Sequence, residues 1–157
     1  MYKRQLYNRL PYKYLPQLLW KYAAIVSTDS LNYFPVKDGV SKYFSPYTIM
    51  KKRHLNYAEH CVAPFGQYVQ AYQENDPKNT PVPRTMDGLY LRPTTDRQRG
   101  HEILNLATGH VVVRPHVWKM PITESIIKMV DDIAIRQEQK SLKITGRNEQ
   151  VLSLIHI

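Results

Sequence analysis

From Leu15 onward the apolar positions recur at a helical interval. Leu15, Leu18, Leu19, Tyr22, Ala23 and Val26 fall at i, i+3, i+4, i+7, i+8 and i+11, one stripe that predicts a helix to about Ser30. Pro16 suits its first turn, where a missing N–H is harmless. Asn32 to Gly39 breaks the period, with Pro35 and Asp38-Gly39 as turn chemistry. Ser45-Pro46 reads as an N-cap followed by proline at the first helical position, opening a short helix through about Lys52.

From Phe65 the period changes to two. Gln67, Val69 and Ala71 share one strand face, and Tyr68, Gln70 and Tyr72 the other. Glu74 to Pro83, rich in proline, Asn and Asp, is a loop. Strands follow over Thr85–Arg92 and His101–Leu106, on either side of a polar connection, Thr94–Gly100. Ala107-Thr108-Gly109 signals a hairpin into His110–Arg114, which Pro115 limits to an edge or an early end. Four short strands joined in this way predict a small barrel. Thr123 is placed to cap a last helix with Glu124 in its first turn and Ile126, Ile127, Val130, Ile133 and Ala134 on its apolar side. Gln137–Gln150 turns polar and reads as linker.

Charge sharpens this picture. The chain of 157 residues carries a net +9. Residues 1–57 hold ten Lys/Arg against two acids, Asp29 and Asp38, whereas residues 58–157 are nearly balanced. Such an asymmetry points to a polyanion contact concentrated in the N-terminal third. No apolar run reaches the roughly 20 residues of a membrane span, and Met1–Gln5 lacks an apolar leader core. Cys61, the single cysteine, permits no internal disulfide, which suits a reducing compartment.

The candidate contacts are the cations. Lys51, Lys52 and Arg53 end the short helix, and Arg9 and Lys13 precede the long one. Arg97 and Arg99 sit in the polar connection between strands, and Arg84, Arg92, Arg114 and Lys119 edge the strands. The alternative for Lys51–Arg53 is a solvated face that complements a helix C-terminus. Tyr22, Tyr33, Tyr43, Tyr68, Tyr72 and Tyr90 fall where a core or half-buried sheet wants bulk, and Trp20 and Trp118 read as core or junction residues. His54, His60 and Cys61 lack the fourth ligand that tetrahedral zinc needs, so packing or surface roles are expected, with Cys61 a buried, inert thiol. His101, His110 and His116 lie on strand-like segments as structural or exposed residues.

Leu31-Asn32-Tyr33-Phe34-Pro35, Ser45-Pro46, Phe65-Gly66-Gln67-Tyr68-Val69-Gln70, Asn79-Thr80, Arg84-Thr85, Leu89-Tyr90-Leu91-Arg92-Pro93, Leu106-Ala107-Thr108-Gly109 and Val117-Trp118 follow one another in an order and spacing of their own. That series resembles the Pol polyprotein of copia-type LTR retrotransposons, at the end of the integrase core and the domain after it. The resemblance implies an α+β chain: a helical N-terminal segment (residues 6–57) from the end of an RNase H-like core, an SH3-like β-barrel (58–120), a C-terminal helix (121–136) and a linker toward reverse transcriptase (137–151). It implies DNA, either element ends or target, and other integrase subunits as partners, with the upstream core and downstream reverse transcriptase in the same polyprotein and no membrane. It also implies residence in the nucleus and in a cytoplasmic virus-like particle. Helices cut from the sheet they pack on would leave the N-terminal apolar stripe exposed.

An integrase of this family holds two metal ions with two Asp and a Glu, the last Asp and the Glu about 35 residues apart. Asp38 and Glu74 have that spacing, but one sits in a Lys-Asp-Gly turn and the other in a proline-flanked loop. Asp131 and Asp132, adjacent on a helix, diverge by about 100°. The chain is therefore expected to be non-catalytic and to need no cofactor, Mg²⁺ belonging to the complete integrase. The rival reading is an SH3-like protein-interaction or multimerisation module without direct DNA contact.

Both ends carry a further signal. Leu152–Ile157 is what the transposon-end sequence CTGTCTCTTATACACATC encodes, and its reverse complement GTGTATAAGAGACAG, with GTG as start, gives Met1–Gln5. Residues 1–5 and 152–157 are accordingly expected to be adapter-derived scars.

Overall fold

The computed structural model describes residues 5–6, 8–73, 84–94 and 100–139, together with the backbone of 144–145 and 151–152. The predicted loops at 74–83 and 95–99, and with them Glu74, Arg97 and Arg99, lie outside the described residues.

The long helix α1 spans Gln17–Asn32 and starts one residue after Pro16, whose extended backbone (φ −54°, ψ 148°) sets the entry angle. Leu15, Leu19 and Ala23 are fully buried, while Leu18, Tyr22 and Val26 flank them half-buried. Ser27 continues the stripe. Its hydroxyl donates to Ala23 O at 2.6 Å, so the buried group is satisfied within its own helix. Ser45 caps α2 (Pro46–Lys51) by accepting the Thr48 N–H at 3.2 Å. Lys52 ends it with φ +52°, in the left-handed region. Asn56 Oδ1 accepts Ala58 N–H to open a single turn, α3 (Tyr57–His60).

Five strands follow: β1 (Tyr68–Tyr72), β2 (Thr85–Pro93), β3 (His101–Asn105), β4 (Val111–Arg114) and β5 (Val117–Lys119). They form one antiparallel sheet in the order β4-β3-β2-β1-β5. Gly109, at φ +71°, permits the tight β3–β4 turn. Gly88 has no side chain because a Cβ would come within 2.9 Å of Leu104 O on β3.

Connectivity forces this sheet to curl. Arg114 lies opposite His101 and, through it, Pro93 at one end of β2, whereas Val117 lies opposite Ala71 and, through it, Met86 at the other end. Laid flat, those corners would stand about 30 Å apart. Pro115 and His116 alone join them, a reach of about 10 Å. The opposite edges therefore bend toward each other, and Val112 of β4 and Val117 of β5 pack on one concave cluster of Val69, Ala71, Met86, Tyr90 and Ile103. The convex face carries Tyr68, Leu89, Leu91, Leu104 and Leu106. Tyr12, Leu15 and Leu19 cover it from the N-terminal segment, and Ile126 and Val130 from α4 (Glu124–Arg136).

Polar ties reinforce that packing. Buried Tyr12 donates its hydroxyl to Gly66 O at 2.8 Å. Asp131 Oδ1 accepts the N–H groups of Lys13 (3.1 Å) and Tyr14 (2.9 Å), and Gln137 Oε1 accepts that of Gln17 (2.9 Å). The last bond caps α1 from α4 and satisfies a donor that Pro16 has no side-chain oxygen to meet.

Several expectations are corrected. The sheet is open, with β4 and β5 as its two edges, because no ladder joins them among the described residues. A fifth strand is present, too short at three residues to show alternation in the sequence. The α1 stripe, expected bare, is seated on the convex face of this chain's own sheet. Thr123 stands at the N-cap but pairs its hydroxyl with Ser125 Oγ at 2.8 Å instead of capping. Within and beside the expected linker, Ile144–Thr145 (β6) pairs with Val151–Leu152 (β7).

Candidate nucleic-acid interface

The predicted cations divide sharply once placed. Lys51 closes α2, Lys52 occupies its left-handed cap and Arg53 follows, and all three are exposed. The αL residue turns the chain abruptly here, so three consecutive cations stand on a corner instead of one helix face. Arg9 and Lys13 are exposed on the N-terminal segment, although the Lys13 main chain is fixed by Asp131. Arg84 is exposed beside the end of β1, where its carbonyl accepts the Gln73 N–H at 2.8 Å. Lys119 is exposed on the edge strand β5, opposite Val69. These residues belong to separate elements and do not converge on one cleft.

Arg92 is engaged internally, and Arg114 is half-buried. Arg92 donates Nε to Glu102 Oε2 and Nη2 to Glu102 Oε1, both at 3.1 Å, and lies 3.6 Å from Asp29 Oδ2. It also sits over the Tyr22 ring, 5.8 Å from the centroid. The register shift between Tyr90 and Arg92 turns Arg92 toward α1. Glu102 strengthens its protonated form, raising its pKa. Arg114 Nη1 donates to Val113 O at 2.9 Å, and its Nε is buried without a partner.

Between the N-terminal segment, the end of α1 and β2 runs a groove of about 680 Å³, walled by Arg9, Tyr33, Tyr57, Phe65, Tyr90 and Arg92 among others. Burial, and then Asp29, push the Tyr33 hydroxyl up to about 12, so it remains a neutral donor near pH 7. Cys61 also lines this groove. It is exposed, not buried as expected, and partial cover of its thiol raises its pKa. His54 packs its ring near Phe44 at 6.2 Å. Asp38 is exposed in its turn, Asp131 faces Lys13 and Tyr14, and Asp132 faces solvent. Among the described residues no three His, Cys, Asp or Glu side chains converge to hold a metal ion.

The aromatic expectations hold in part. Tyr68 and Tyr90 are buried, Tyr22 and Tyr33 are half-buried, and Trp20 packs half-buried against the convex core. Tyr43 is 89% exposed and Tyr72 43%, against the core or half-buried places expected of them, and Trp118, expected at the core or a junction, is 52% exposed. Trp118 is drawn onto β5, whose edge position leaves its ring open to water. Lys37 and Lys42, not among the predicted cations, are exposed in the same stretch as Val36, Val40, Tyr43 and Phe44. The available signal was the clustering of apolar residues and lysines across a turn-rich segment that has no period to bury them. No helix of the described residues is long and apolar enough to cross a membrane. No protein-family model, curated protein or solved structure matches the chain.

Proposed function

We infer that the chain is a non-catalytic piece of a retrotransposon integrase within a Pol polyprotein, binding DNA backbone and contributing to integrase assembly. The observation that carries this reading is the exposed run Lys51-Lys52-Arg53, three cations on one corner with no ion pair among the described residues. Arg9, Lys13, Arg84 and Lys119 are further exposed cations, carried by separate elements. The sheet order, with β5 returning to the outside of β1 and the edges curled together, is compatible with an SH3-like module that stops short of hydrogen-bonded closure. Residues 6–57 are then the helical end of the RNase H-like core, and the Asp, Asp, Glu centre with its Mg²⁺ belongs to the complete parent. Contacts of this kind read phosphate and shape instead of base edges.

Titration of the full chain with duplex DNA over a salt series tests the reading. With about five phosphates neutralised, log K falls against log[salt] with a slope of about −4 to −5. A flat dependence, or no binding at low salt, sinks it and leaves the protein-interaction reading. That rival has its own specific support, an apolar surface beside the cations.

A further inference from the structure

We propose that residues 36–50 form a docking surface for an acidic protein segment bearing apolar side chains. Val40 is 99% exposed, Tyr43 89% and Met50 80%, and Val36, Phe44 and Ile49 stand about half open beside them. Monomeric proteins seldom leave so many large apolar side chains contiguous and bare. The surface is also notched. Val36, Gly39, Val40, Phe44, Ile49 and Met50 are among the residues lining an open apolar concavity of about 210 Å³, room for one or two side chains.

Hydrogen bonds within the segment fix its frame. Gly39 N–H donates to Val36 O at 3.0 Å, Ser41 Oγ accepts the N–H groups of Tyr43 and Phe44, and Ser45 caps α2. A partner thus meets a preformed notch and loses less free energy to ordering.

The rim decides what that partner is. Lys37, Lys42, Lys51, Lys52 and Arg53 are all exposed and alternate with or follow the apolar residues along the chain, and within residues 36–53 the one acid is Asp38. A second copy docked by the same face would oppose two such rims, a like-charge juxtaposition that disfavours it. The exposed side of α4 offers the rim no acidic excess either, since Glu124 and Asp132 only balance Lys128 and Arg136 there. A lipid surface would cover protruding side chains but would not send one into the notch. An acidic chain with apolar anchors satisfies both features. This surface goes beyond the DNA-backbone reading and shares only its Lys51–Arg53 corner.

The test uses the full chain and a fluorescent synthetic helical peptide with leucines along one face and glutamates elsewhere. A scrambled peptide of equal composition is the control. The amphipathic peptide is expected to bind, and the scrambled one not. Replacing Val40→Ser together with Met50→Ser, both already in solvent, is expected to weaken peptide binding by about tenfold or more while leaving DNA affinity unchanged. Lys37→Glu with Lys42→Glu weakens it comparably. The proposal is overturned if both peptides bind alike, if neither binds, or if the serine variant binds as well as the parent. Binding only to phosphatidylcholine–phosphatidylserine vesicles would overturn it in favour of lipid, and self-association lost in the serine variant would overturn it in favour of a dimer. A failed salt series with duplex DNA leaves this result untouched, so the two readings fail separately.

Discussion

Arg92 and Glu102 face each other across the β2–β3 ladder and share two parallel hydrogen bonds of 3.1 Å, beneath the Tyr22 ring of α1. The pair ties the sheet to the long helix, since Asp29 of α1 lies 3.6 Å from the same guanidinium. Both partners are more than half buried. Their worth is therefore asymmetric: removing one leaves the other charge without its counter-ion in a partly desolvated place.

Arg92→Ala is accordingly expected to destabilise the fold by about 1–3 kcal/mol, and Glu102→Gln by a similar amount. The double substitution should cost less than the two combined. Urea denaturation of the three variants measures this. The same Arg92→Ala chain should keep the parent's salt slope on DNA, because this guanidinium is already occupied. A loss of about one unit in that slope would return Arg92 to the interface.

His101 is buried with its Nδ1 3.2 Å from the Tyr90 hydroxyl. Burial, then the nearby His116, hold its imidazole below the ordinary value. The unfolded chain thus takes up the proton first. Stability from the neutral ring is complete above the unfolded value of about 6.5 and is lost as pH falls from there through the lower folded value. Thermal melts between pH 7.5 and about 5 should show a decline that His101→Gln flattens; identical slopes in parent and variant would remove His101 as its source.

Leu19 is the centre of the α1 stripe and fully buried against the convex face. If residues 6–57 were an independent helical unit, losing this side chain would melt them alone. Because the stripe shares a core with Leu89, Leu104 and Val130, Leu19→Ala should cost about 2–5 kcal/mol and lower a single transition. Far-UV circular dichroism and tryptophan fluorescence should follow one curve. Two separated transitions would show that helix and sheet are held together less tightly than their shared core implies.

What the sequence disclosed and withheld follows from the range of each interaction. The Ser45 cap, the α1 stripe and the stop at Pro115 were legible because each is settled within one or two turns of chain. Strand β5 was not, since three residues between Pro115 and Pro121 carry no alternation and are defined by the β1 edge they meet. Arg92 read as a free cation because its partners, Asp29 and Glu102, come from elements 63 and 10 residues away and meet it only after the shift in register. Tyr43 read as core or half-buried sheet, and Trp118 as core or junction, because bulk suggests burial, while exposure is decided by whether another element arrives to cover them. None does among the described residues.

The corner at Lys51–Arg53 gives the most discriminating prediction. Its three side chains are exposed and lie outside the shared core, so charge reversal should leave the melting transition within about 0.5 kcal/mol of the parent. If each neutralises one phosphate, Lys51→Glu with Lys52→Glu and Arg53→Glu should reduce the magnitude of the DNA salt slope by about 2 to 3 and weaken binding uniformly across sequences. Reversing Arg84 and Lys119 instead samples the sheet end of the molecule, far along β1 from one another. A larger effect there would move the interface from the helical corner to the sheet. Equal effects at both would mean that DNA is gripped by the net charge of the whole chain, with no preferred surface, and the corner would lose its assigned role.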